Sequence, residues 1–291
     1  MKLKTENSQT PPAAMPEPPF RPVPTRTAVV LGSSLLGVYA HAGFLNGLGQ
    51  RGFEPARLAG ASAGALAGAL HACGLRGDDL KHAALDPKMR WSYFDPGFIW
   101  RMPGVGTVLW ANGIFHGKGK VRHLRRLLGD VRLDDRQLDI AVTDVETNEI
   151  VIRTTGPLPE LVMASCAVPG LFTIQDVDGH RYLDGGIAAE YPFEHLINRD
   201  DIDTILIHRI QHVENSSPVV NWETVAKAVG CTHHTACKAL HEHRLRLAAE
   251  RGKQVVELVS TTPFPSIFSN RRAPACYEAG LQTALDALSP A

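Results

Sequence analysis

Apolar and polar positions along the chain follow two periods, one of strands and one of helices. "TRTAVVLG" is a β-branched run that stops at Gly32 and predicts a buried strand, and apolar positions at Tyr39, Phe44, Leu45 and Leu48 predict a helix from about Gly37 to Arg51. "RLAG" predicts a short strand, followed by a helix from Ala63 to Leu75 whose small residues permit close packing on a sheet. "KGKVRHLRRLLGD" reads as an amphipathic helix ending near Gly129. "LDIAVTDV" and "EIVIRTT" read as strands joined by a turn around Thr147 and Asn148. A short helix over "LPELVMASCAVPGLF" is expected to end at Pro169 and Gly170. "HRYLDGGI" and "DTILIHRI" predict strands, the first running into a Gly-Gly turn. A long helical pattern covers about Trp222 to Arg251, then come the strand "QVVELVST" and a helix from about Ala275 to Leu288.

Strands alternating with helices imply an α/β fold: a mostly parallel central sheet with helices on both faces, three layers in all. No internal repeat or second-domain boundary is visible, so residues 27–291 are expected to form one domain. Residues 1–26 carry seven prolines and read as an extended tail.

Composition narrows the function classes. With 30 basic and 30 acidic residues, the chain has no electrostatic footprint for nucleic acid. The N-terminus has no apolar core of a secretory signal, and no apolar run reaches a membrane span. Five scattered cysteines without a C-x-x-C pair suit a reducing compartment, so a cytoplasmic location is expected, with signal-less export still open.

Three stretches carry candidate chemistry. In "AGASAGALAGAL", Ser62 stands between Gly60 and Gly64, after a strand and before a helix, the context of a nucleophile elbow. A serine there meets free N–H groups and the positive end of a helix dipole, with the Ala63 N–H as the first donor to an oxyanion. The same segment also reads as a Gly/Ser/Ala packing run. "LGSSLLGVYAHAGF" puts a loop of small residues between a strand and a helix, where backbone N–H groups can hold an anion or a polarised carbonyl; a dinucleotide fingerprint is excluded because Ser34 replaces its second glycine. "YLDGGIAAEYP" sets Asp184 at a strand end before Gly185 and Gly186, where a carboxylate can face a cleft and act as base for a hydroxyl; a plain D-G-G turn is the alternative.

In order and spacing, these three pieces resemble the patatin-like phospholipase family, with its Gly-rich oxyanion loop, G-x-S-x-G elbow and D-G-G/A motif. "GIFHGKGKVRHLRRLLG", "IAVTDVETNEIVI" and "ASCAVPGLF" match the stretches between them, and the resemblance runs from about Thr27 to Ile210. It implies that Ser62 is the nucleophile and Asp184 its base. Gly32, Ser33 and Ser34, with Ala63, would then be the oxyanion donors. The implied activity is hydrolysis of a lipid acyl ester through an acyl-enzyme, at a membrane or micelle surface, with no metal or organic cofactor. The family has glycines where this chain has Ser33 and Ser34, and an Arg/Lys-Gly step where it has Leu36-Gly37. That departure keeps open a weakly active or purely lipid-binding protein. An α/β-hydrolase esterase with a Ser-Asp-His triad, drawing on a histidine such as His180 or His208, is the other alternative.

Two further features attract attention. His41 falls one turn into the first helix and reads as a buttress of the loop, and "CTHHTACKALHEHR" reads as a polar helix face with one buried cysteine rather than a zinc site. Trp91, Tyr93, Phe94, Phe98, Trp100 and Trp110 form an aromatic run that is either a satellite core or a rim dipping into lipid.

Overall fold

The computed structural model describes residues 21–95, 97, 99, 113–134, 136–187, 189–213 and 225–289. Most of the Pro-rich tail and much of the aromatic run, including Phe98, Trp100 and Trp110, lie outside them, as do the side chains of Cys231, His233 and His234.

The strands are β1 (Thr27–Leu31), β2 (Arg57–Ala61), β3 (Gly113–Phe115), β4 (Leu138–Asp144), β5 (Ile150–Arg153), β6 (Gly170–Phe172), β7 (Gln175–Val177), β8 (His180–Asp184), β9 (Thr204–Val213) and β10 (Gln254–Pro263). The helices are α1 (Val38–Gln50), α2 (Ala63–Ala72), α3 (Gly77–Leu85), α4 (Pro87–Trp91), α5 (Lys118–Leu128), α6 (Leu158–Ser165), α7 (Glu194–Ile197), α8 (Val225–Glu250) and α9 (Ala273–Ala287). The main sheet runs β10-β9-β1-β2-β4-β8-β7, with β5 also on β4. Its first five strands are parallel, whereas β5, β7 and β8 pair antiparallel.

Strand alternation explains the layers. Val29 and Leu31 of β1 face the larger core under α1, α2 and α9, whereas Ala28 and Val30 face a second core with Phe193, Leu196 and Ala248 of the α7–α8 side. The fold is therefore three-layer α/β/α. α1 and α9 meet backbone to backbone: a Cβ on Gly43 would strike the Tyr277 carbonyl, and one on Gly280 the Ala40 carbonyl.

Some boundaries differ from the expected ones. α2 stops at Ala72 because Gly74 takes φ 93° and turns the chain away. α6 stops at Ser165, and Gly170–Phe172 pairs instead with Gly113–Phe115 in a small parallel sheet. The short helices α3 and α4 break at Pro87, with Asp86 capping the Lys88 N–H.

Candidate active site

The sheet's register brings three strand ends to one level. Ala61 of β2 pairs with Ala141 of β4, and Val142 of β4 pairs with Asp184 of β8. Ser62 and Asp184 thus hang on either side of β4. Ser62 Oγ donates to Asp184 Oδ2 at 2.7 Å, and the Gly186 N–H donates to Oδ1 at 2.7 Å.

The turn at Ser62 is sharp, with φ 53° and ψ −116°, a conformation that costs a non-glycine residue about 1–3 kcal/mol. Its N–H donates to Ser165 Oγ at 2.9 Å, and Ser165 donates to the Ala141 carbonyl at 2.7 Å. Ser165, fully buried at the end of α6, thereby braces the elbow against β4. Gly64 allows the close approach of α2 to β1, since a Cβ there would collide with the Leu31 carbonyl; Gly60 lies equally tight against Gly64 and Ala65. Gly185 and Gly186 turn the chain after Asp184, where a Cβ would strike Ala141 or Ser33.

Burial sets the electrostatics. Asp184 is 3% exposed, and desolvation pushes its carboxyl up to about 6, against the opposing pull of the Ser62 and Gly186 hydrogen bonds. A carboxylate with a pKa near that value can accept a proton at neutral pH and return it. Burial, aided by Asp184, pushes the neighbouring Cys166 thiol up to about 12, so it stands beside Ser62 as a neutral thiol.

Ser62 and Asp184 open into a cavity of about 430 Å³, a volume typical of small-molecule sites. Its wall is mainly apolar, with Leu66, Met89, Tyr93, Phe115, Leu171 and Phe172 among the lining residues. Phe115 and Phe172 come from the small β3–β6 sheet, and Tyr93 and Phe94 belong to the described part of the aromatic run.

The loop after β1 departs from the expected arrangement. The Gly32 N–H extends the β1–β9 ladder to the His208 carbonyl at 3.3 Å, and the Ser33 N–H donates to the Glu190 carbonyl at 2.8 Å. Both amides are thus already hydrogen-bonded in this structure, unlike the other two expected oxyanion donors, Ser34 and Ala63. Among the described residues, the amides of Ser34, Leu35 and Ala63 find no acceptor. Neither Ser33 nor Ser34 has positive φ; the left-handed residue is Leu36, at φ 51°. The serines that replace glycines therefore carry no backbone strain of that kind.

Among the described residues, no Ser-Asp-His triad is formed. His180 lies exposed at the start of β8, His208 is buried beneath the loop against His41, and no histidine lines the cavity among the described residues. In the polar helix face, Cys237 Sγ contacts the Ile187 carbonyl and His241 bonds Glu257. Among the described residues, no group of three or more His, Cys, Asp or Glu is arranged to hold a metal ion.

Ser165 and Cys166 were not expected at the site. "MASC" gives no sign that its serine faces the elbow, because that contact spans 103 residues of sequence.

Comparisons with known proteins identify the family. A family model described as Patatin-like phospholipase matches residues 29–197, more than half of the chain. The uncharacterized NTE family proteins Mb1092c of Mycobacterium bovis and Rv1063c of Mycobacterium tuberculosis are each 32% identical over 173 residues, covering 57% of this chain. The chain spans 44% of the length of these relatives. Among solved structures, VipD from Legionella pneumophila has a TM-score of 0.49 at 14% identity, with 90% of this chain and 67% of that one covered. The type III effector protein ExoU has a TM-score of 0.43 at 14% identity, with 91% and 52% covered. With the family match spanning the first strand, the elbow and the D-G-G turn, the chain belongs to the patatin-like phospholipase family.

Proposed function

We propose that this protein hydrolyses acyl esters of lipids, with Ser62 as nucleophile and Asp184 as its proton acceptor. The observation that carries the reading is the 2.7 Å hydrogen bond between Ser62 Oγ and Asp184 Oδ2, at the wall of an apolar cavity. Family membership and the NTE family relatives support the same reaction class.

Ser62 Oγ attacks the ester carbonyl carbon while its proton passes to Asp184. The oxyanion is received by the Ser34 and Ala63 amides, the latter at the first turn of α2. Collapse breaks the bond to the alkoxy oxygen, which takes the proton from Asp184 and leaves as the alcohol. Water then gives a proton to Asp184 and attacks the acyl-enzyme. The fatty acid departs, and the proton returns to Ser62. The acyl chain lies along the apolar wall, and the ester is drawn from a membrane or micelle surface. No residue in this scheme requires a metal or an organic cofactor.

A lipid-binding protein without turnover is the rival, favoured by the commitment of the Gly32 and Ser33 amides. A fluorophosphonate probe separates the two. Labelling that disappears in Ser62→Ala supports the nucleophile, and absence of labelling in the native protein supports the binder. Release assays on phospholipid, triacylglycerol and short p-nitrophenyl esters, with Ser62→Ala as blank, then identify the ester.

A further inference from the structure

Two hydrogen-bond relays, one buried and one half-buried, reach the loop after β1 from behind, and both originate outside the segment matched to the family. In the first, His41 Nε2 lies 2.8 Å from the Gly32 carbonyl, and His41 Nδ1 lies 2.8 Å from His208 Nδ1. His208 Nε2 lies 2.7 Å from Ser260 Oγ, which lies 2.7 Å from Thr283 Oγ1 on α9. In the second, Ser34 Oγ lies 3.0 Å from His212 Nε2, and His212 Nδ1 lies 2.9 Å from Thr262 Oγ1. Ser34 is one of the serines standing where the family has glycine.

The first relay has one consistent proton assignment. A carbonyl oxygen only accepts, so His41 Nε2 carries a hydrogen. Burial holds both imidazoles below their ordinary range, His41 at about 4, so both are neutral at pH 7. His41 Nδ1 is then a bare acceptor, His208 Nδ1 carries the hydrogen between them, and His208 Nε2 accepts from Ser260. His41, His208 and Ser260 are fully buried, where an unmatched polar atom costs about 1–3 kcal/mol. Phe44 stacks on the His208 ring at 4.0 Å and fixes its plane.

We propose that His41 and His212 are positioning residues of the acyl-transfer site: His41 pins the Gly32 carbonyl and His212 tethers the Ser34 side chain, so that the free loop amides face Ser62. The inference rests on the hydrolase reading above. The tether turns the loss of a glycine at position 34 into a gain of fixation, and makes β9, β10 and α9 part of the site.

Two measurements test it on the full chain. Nitrogen-15 imidazole spectra at pH 7 read the proton assignment without any turnover. His41 protonated at Nε2 and His208 at Nδ1, both neutral, is expected; the reverse tautomers, or a charged ring, overturn the relay. Kinetics on a short p-nitrophenyl ester, expressed per fluorophosphonate-titrated active site, read the positioning. His41→Phe removes the pin at similar volume and lowers kcat by about tenfold to a hundredfold with KM little changed. His41→Gln, which retains an N–H for the Gly32 carbonyl, recovers most of the loss. Ser34→Gly, which restores the family residue and folds without a new cavity, lowers kcat several-fold. Equal kcat per site in all variants, or a rise in Ser34→Gly, overturns the proposal. Native protein that gives the expected spectra yet neither labels nor turns over keeps the relay, overturns its role in positioning, and removes the hydrolase reading.

Discussion

Replacing Asp184 by asparagine separates what the buried carboxylate does for chemistry from what it does to stability. Asparagine is isosteric: its oxygen can accept from the Gly186 N–H and its amide can donate to Ser62 Oγ, so both contacts persist with one reversed. The native carboxyl is raised from its ordinary 3.8 to about 6, chiefly by burial. Between these values the folded state holds a proton that the unfolded state has released. The destabilisation therefore grows as pH rises through that window and is complete above about 6. At about 1.4 kcal/mol per pH unit, it amounts to about 3 kcal/mol at pH 8. Asp184→Asn is expected to raise the unfolding free energy by up to that amount at pH 8 and by little at pH 4. In a protein of this size the melting temperature should rise by about 2–4 °C per kcal/mol. Turnover should fall by about a hundredfold to ten-thousandfold, the usual worth of a general base. Chemical denaturation at the two pH values, with ester hydrolysis on the same samples, gives both numbers. A variant that is no more stable than native at pH 8, or that gains equally at pH 4, refutes the reasoning.

Three further outcomes follow from the same geometry. In kcat/KM against pH, the native protein should gain activity as pH rises through about 6, since the proposed mechanism needs Asp184 deprotonated; a profile flat from pH 5 to 8 contradicts that role. Ser62→Gly should be more stable than Ser62→Ala by about 1 kcal/mol or more, because only glycine takes φ 53° without strain, and calorimetry of the two variants decides it. Lys120 is fully buried on the Met89 carbonyl and over the Tyr93 ring, and desolvation pulls it down to about 7. Between about 7 and 10.5 the unfolded state binds the extra proton, so this group makes stability rise with pH. Lys120→Met should flatten that rise and gain about 1–3 kcal/mol at pH 6, as read by denaturant titration.

The strands and long helices were legible because their apolar periods are long and end at glycine or proline. The pairing of Ser62 with Asp184 was legible only through the joint order of three motifs, since either alone reads equally well as a packing run or a turn. The fate of the loop amides was not legible. Whether the Ser33 N–H is free depends on the Glu190 carbonyl, which reaches it only once the segment after Asp184 has folded back over β1. The same holds for His208, whose partner His41 lies 167 residues earlier. Short elements such as α4 and the β3–β6 pair carry too few residues for a period to show, and the β3–β6 pair packs under Tyr93 and Phe94 from an earlier segment.

Because Ser62 follows β2 and Asp184 ends β8, with β4 between the two strands, their separation is fixed by backbone rungs rather than by a loop that must close. On the hydrolase reading, the hydroxyl is as ready in the empty protein as in the loaded one. Binding of the ester therefore has no pairing of the reacting groups left to complete. A small electrophile should accordingly label Ser62 with no lipid present to assemble the site.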